Sequence, residues 1–103
     1  MAFFVQKFGG SSLATRERIH AVAERIDKAL RGGDRIAVVV SAMGDTTDDL
    51  TETAHCINSQ PRAREMDFLL STGELVSAAL MSMALHKLGR EAIALSGPQA
   101  GIR

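Results

Sequence analysis

With 103 residues, the chain has room for one domain and is short for a complete enzyme. Lys and Arg total 12 against 12 Asp and Glu, so there is no basic surplus to draw nucleic acid or an anionic membrane surface. The four aromatic residues are all Phe, which leaves no platform for stacking bases.

A single cysteine, Cys56, rules out an internal disulfide and suits a reducing cytosol. The N-terminus lacks the basic start, long apolar core and cleavage site of a signal peptide. Ile36–Val40, the most apolar strand-like run, is far too short to span a bilayer. These features place the expected protein in the cytoplasm.

Along the chain, Phe3 to Phe8 reads as a strand ended by Gly9-Gly10. The period then changes. Ile19, Val22, Ala23, Ile26, Ala29 and Leu30 share one helical face, with Ser12 or Thr15 available as cap and Gly32-Gly33 as terminator. Ile36-Ala37-Val38-Val39-Val40 is a continuous apolar run without alternation, the pattern of a strand covered on both faces. Thr46 or Thr47 opens a second helix with Leu50, Ala54 and Ile57 on its inner stripe. Pro61 suits the first turn of a third, carrying Met66, Leu69 and Leu70. Ser71-Thr72-Gly73 is expected to break that helix, and a fourth follows with Val76, Leu80 and Met83 inward. Gly89 ends it, and Ala92–Leu95 reads as a third strand.

Strands separated by helices predict an α/β fold with a mainly parallel sheet. In such sheets ligands sit beyond the carboxyl ends of the strands. The three predicted strand ends run into Gly9-Gly10-Ser11-Ser12, Ser41-Ala42-Met43-Gly44 and Ser96-Gly97-Pro98-Gln99-Ala100-Gly101. All three turns are rich in glycine and hydroxyls, and the topology puts them on one rim.

Each motif has a plain reading beside its chemical one. Lys7 against Gly9-Gly10 offers a point charge and backbone N–H groups leading into a helix, the makings of an anion site. The same residues also describe an ordinary strand–turn–helix connection with a surface lysine. Neither a P-loop nor a G-x-G-x-x-G fingerprint is present. Ser41–Thr47 repeats the form, and its threonines serve equally as caps. Asp48 and Asp49 suit the positive end of a helix. Ser71-x-x-Glu74 matches a capping box, which competes with a role for Glu74 in accepting a substrate ammonium. His20, His55 and His86 lack ligand spacing, so no metal site is expected. Cys56 reads as a small hydrophobe.

Four stretches, KFGGSS, VVVSAMGDTTDDL, REMDFLLSTGE and QAGI, stand in the order and spacing that identify the chain as resembling the N-terminal segment of the aspartate kinase family. The resemblance runs over residues 3 to 102. It implies the amino-acid kinase fold, a three-layer αβα sandwich around a mainly parallel sheet, of which this chain supplies the N-terminal part. It implies transfer of the γ-phosphoryl group of ATP, with Mg2+, to the side-chain carboxylate of L-aspartate. By motif, Lys7, Phe8, Gly9, Gly10 and Ser11 would bind the ATP phosphates, with Lys7 also neutralising charge on the transferring group. Ser41 and Thr47 would line the aspartate pocket, and Glu74 would hold the substrate amino group. Whole aspartate kinases are several times longer and form oligomers. The adenine-binding loops, further catalytic residues and regulatory ACT domains would therefore lie beyond residue 103. Pro98 departs from the family pattern. Two other readings remain at this point: a different amino-acid kinase, and a non-catalytic α/β module that binds an anion or self-associates.

Overall fold

The structure, a computed structural model, describes residues 2–96. Two strands, β1 (Phe3–Phe8) and β2 (Arg35–Val40), pair in parallel from Phe3 opposite Arg35 to Phe8 opposite Val40. Helix α1 (Arg16–Arg31) makes the crossover between them that a parallel pair requires. Helices α2 (Thr46–Ile57) and α3 (Ala63–Lys87) follow. Because the strands run in register, their carboxyl ends emerge side by side.

α1 takes the later of the two caps its sequence offers. Thr15 is the cap, its hydroxyl accepting from the Arg18 N–H at 3.2 Å. The helix stops at Gly32, and Gly33 takes the left-handed conformation at φ +89° that reverses the chain into β2. Ile19, Val22, Ala23 and Ile26 are buried against Met81, Ala84 and Leu85 of α3 and Phe8 of β1. Each large side chain buried there contributes about 1.5–3 kcal/mol of transfer free energy.

The sheet has one covered face. Ile36, Val38 and Val40 pack on the core, whereas Ala37 and Val39 are exposed beside Phe3, Val5 and Lys7 of β1. The expectation that β2 is covered on both faces therefore fails for residues 2–96, which lay down helices on one side only. An unbroken apolar run reports that both faces can be buried; it does not say by what.

α3 corrects a second expectation. It is one continuous helix of 25 residues, not two. The Ser71 and Thr72 hydroxyls donate to the carbonyls of Phe68 and Leu69, both at 2.7 Å, so they are absorbed by the preceding turn. Ser71 thus forms no capping box with Glu74. Gly73 is present for proximity: a Cβ on it would lie 2.8 Å from the Ala42 Cβ and 3.4 Å from the Thr46 methyl. The inner side of α3 is Gly73, Ser77, Met81, Ala84 and Leu85, while Val76 (53 % exposed), Leu80 and Met83 face outward. α3 is apolar on several sides, long and apolar enough by composition to cross a membrane, yet here it packs on α1, α2 and β2. Periodicity alone could not choose among those sides.

Smaller differences follow the same logic. Pro61 precedes the helix, whose N-cap is Arg62. Leu50 and Ala54 are half-buried against α3, but Ile57 is 82 % exposed and borders an unfilled groove of about 420 Å³ between α2 and α3. Cys56, read as a small hydrophobe, is exposed. Ala92–Leu95 forms no strand. A strand exists only where a neighbour completes its ladder, and this segment is held differently: the Ala92 carbonyl meets His86 Nε2 at 2.8 Å.

Just before that segment, Arg90 reaches back to α1. Its Nε donates to Asp27 Oδ1 at 2.6 Å, and Arg31 pairs with the other carboxylate oxygen at 2.9 Å. Asp27 is only 5 % exposed. The Arg90 hydrogen bond, helped by the Arg31 charge, holds its carboxyl below the ordinary 3.8 despite the opposing effect of burial. A carboxyl depressed in the folded state stabilises the protein above its unfolded pKa, and that contribution fades as pH falls from about 3.8 through the lower folded value. We expect acidification across that range to lower the thermal midpoint of the unaltered protein more steeply than that of Asp27→Asn. Parallel pH profiles would show the pair to be inert.

Candidate functional site

β1 ends on Phe8, which is buried, and delivers Gly9 in extended backbone (φ −80°, ψ 174°) at the mouth of a 3₁₀ turn, Gly10–Leu13. The Ser12 N–H closes that turn on the Gly9 carbonyl at 3.1 Å. Leu13, with no exposed surface, anchors the turn in the core. The predicted helix N-terminus after Gly10 is thus a 3₁₀ turn first, and α1 starts three residues later.

The second turn, after β2, is fastened to the first. The Ser41 N–H donates to the Phe8 carbonyl at 3.2 Å, and the Gly44 N–H donates to the Gly10 carbonyl at 3.0 Å. Gly10 is required by this approach, since a Cβ on it would stand 2.9 Å from the Ala42 carbonyl oxygen. Gly44 has φ +47°, a left-handed conformation that suits glycine. Two glycine turns expected on one rim are therefore hydrogen-bonded into a single backbone unit. The third expected turn, beginning at Ser96, has its remaining residues outside those described.

α2 rises from the second turn. Its N-cap is Asp45, without a side-chain cap bond, so neither Thr46 nor Thr47 serves as the cap. Thr46 and Thr47 occupy the first turn, with Thr47 exposed, and Asp48 and Asp49 sit beside them at the positive end of the helix. α3 passes beneath: Gly73 lies against Ala42 and Thr46, which brings the next residue, Glu74, to the flank of the second turn with its side chain exposed.

The sequence-expected residues are gathered in this way from three elements. Phe8, Gly9, Gly10 and Ser11 form the first turn, Ser41 and Thr47 bound the second, and Glu74 borders it from α3. Lys7 stands one residue before the strand end, on the open face of the sheet next to Val39. Among the described residues, no hydrogen bond or ion pair links the side chains of Lys7, Ser41, Thr47 and Glu74 to one another. They stand as separate groups.

Two residues absent from the sequence reading join this rim. The Arg18 guanidinium donates from Nη1 to the Ser11 carbonyl, and the Arg25 guanidinium lies 5.8 Å from the centre of the Phe8 ring. With Ser11, Ser12, Ala21 and Val22 they border an open cleft of about 300 Å³. Their spacing of seven on α1 was the available signal, because residues two turns apart share a helix face.

Comparison with known proteins agrees with this geometry. The sequence profile of the amino acid kinase family matches residues 2–103. The chain is 55 % identical over 102 residues to an aspartokinase of Corynebacterium glutamicum, covering 99 % of this chain and 24 % of that protein. It is 53 % identical over 102 residues to an aspartokinase of Geobacillus stearothermophilus, covering 99 % of this chain and 25 % of the relative. The crystal structure of aspartate kinase from Synechocystis superposes with a TM-score of 0.87 at 54 % identity, over 90 % of this chain and 16 % of that one. The chain thus spans about a quarter of the length of these curated relatives, and its α/β arrangement is that of the amino-acid kinase fold. The chain belongs to the amino acid kinase family.

Proposed function

We propose that this chain is the N-terminal part of a cytoplasmic aspartate kinase, and that its rim binds the phosphates of ATP and one side of L-aspartate. The observation that carries the reading is the pair of glycine turns bonded to each other at the carboxyl ends of two parallel strands. Identity above 50 % to proteins named aspartokinase, across nearly the whole chain, supports aspartate among the acids such a rim could serve.

In the proposed reaction an oxygen of the aspartate side-chain carboxylate attacks the γ-phosphorus of ATP. The bond to the β–γ bridging oxygen breaks, ADP leaves with that electron pair, and 4-phospho-L-aspartate forms. The carboxylate is already a nucleophile, so the protein's work is positioning and neutralising charge. Backbone N–H groups of the first turn, with Gly9 and Gly10 allowing close approach, hold the phosphates together with Phe8 and Ser11. Lys7 supplies a fixed positive charge for the transferring group. Ser41 and Thr47 place hydroxyls along the aspartate pocket, and Glu74 accepts from the substrate ammonium. Magnesium would arrive as the complex with ATP, held largely through phosphate oxygens. Among the described residues no group of three His, Cys, Asp or Glu could hold a metal, and no step here passes through the ion. The remainder of the kinase domain would supply the adenine pocket and the other catalytic groups, and the product would feed lysine, threonine and methionine synthesis.

Glu74→Gln tests the substrate assignment in the full-length enzyme. With no capping box and an exposed side chain, the change should leave stability within about 0.5 kcal/mol. Removing the charge from an ammonium contact should raise the aspartate KM about tenfold or more while the ATP KM holds. An unchanged aspartate KM would exclude Glu74 from the pocket.

A further inference from the structure

Building on the phosphate-cradle reading above, we propose that Arg18 and Arg25 are positioning residues that brace the Gly9-Gly10 turn from both sides. Two consecutive glycines give a turn that lets a ligand approach, and they also make it loose. Ser12 N–H bonds the Gly9 carbonyl, and two more bonds run across to the second turn. Leu13 packs the turn against the core, while an open cleft of about 300 Å³ borders Ser11 and Ser12.

The two arginines span that opening. Arg18 takes hold of the residue after the glycines, donating to the Ser11 carbonyl. It is itself fixed, since its backbone N–H is bound by the Thr15 cap at the start of α1. Arg25 lies over the ring of Phe8, the residue before the glycines, at 5.8 Å from the ring centre. Phe8 is 8 % exposed, so the contact bears on a buried ring. Residues 8 and 11 are thereby tied to one face of one helix, and the amides between them are held in a single geometry before ATP arrives. A charge-assisted bond to a carbonyl suits this task, being stronger than a neutral one. Preorganised donors stabilise phosphate oxygens without reorganising at the moment of binding.

The test compares Arg18→Met, which keeps the stem and loses the donor, with Arg18→Lys, which restores a cationic donor, in the full-length aspartate kinase. Arg18→Met should raise the ATP KM about tenfold, leave the aspartate KM within about twofold, and barely move the thermal midpoint. Arg18→Lys should recover most of that loss. Backbone hydrogen exchange over residues 8–12 should quicken in Arg18→Met and return towards normal in Arg18→Lys. An unchanged ATP KM, equal rises in both KM values, or a lowered thermal midpoint with unaltered KM values would overturn the brace. Failure of the cradle itself looks different: Lys7→Ala would then turn over ATP normally. In that case exchange over residues 8–12 alone decides, and unchanged exchange in Arg18→Met overturns the brace independently of activity.

Discussion

Replacing Lys7 with alanine in the full-length enzyme should lower kcat by about 10² to 10³ while the folded structure survives. Lys7 is the last residue but one of β1, exposed on the open face, and it takes part in none of the side-chain hydrogen bonds or ion pairs among the described residues. Its ladder partner is Val39, and the backbone contributes to that ladder whatever side chain is attached. Alanine therefore leaves packing intact. The charge is another matter: γ-phosphoryl transfer builds negative charge on oxygens that a fixed ammonium can neutralise. Aspartate-dependent ADP release, measured beside thermal unfolding, separates the two. An active Lys7→Ala enzyme, or one that has lost its fold, would reject this role.

The second large effect is expected at Gly73. On an exposed helix, Gly→Ala stabilises by up to about 1 kcal/mol through helix propensity. At Gly73 the opposite sign is expected. The added Cβ would stand 2.8 Å from the Ala42 Cβ, well inside contact distance, and that neighbour has no flexible end to swing aside. Either α3 or the second glycine turn must shift. Overpacking of this kind costs about 1–3 kcal/mol, which exceeds the propensity gain. The shift also lands on the rim, because Ala42 lies between Ser41 and Gly44 and its carbonyl touches the space reserved by Gly10. Gly73→Ala should thus lower the thermal midpoint and raise the aspartate KM together. A variant as stable as the parent, or more so, would show that Gly73 is an ordinary helical glycine.

How much of this was written in the residues depends on which interaction decides each feature. β1, α1 and its Thr15 cap, and the glycine terminators at 32–33 and 89 are settled by neighbours in sequence, and these were legible. So was part of the rim: of the three glycine turns expected there, the first two are bonded together, Ser41 to Phe8 and Gly44 to Gly10. What failed was decided by distant partners. Gly73 looked like a helix breaker because its reason, the Ala42 methyl, is 31 positions away. Val76 and Met83 were assigned inward because α3 is apolar on several sides, and only the small residues Gly73 and Ser77 at four-residue spacing hinted at the side of close approach. Ala92–Leu95 has strand composition, but composition cannot supply a neighbouring edge. Arg18 and Arg25 belong to no motif, although their seven-residue spacing puts both on one face of α1.

The bonded pair of glycine turns is proposed to serve phosphoryl transfer to aspartate. Its most direct test is to incubate the full-length enzyme with MgATP and L-aspartate and to trap the acyl phosphate with hydroxylamine. Aspartyl hydroxamate should form in step with ADP, only with L-aspartate and not with L-glutamate in its place, and should be nearly abolished by Lys7→Ala. ADP release that ignores aspartate, or hydroxamate formed equally well by the Lys7→Ala enzyme, would contradict it.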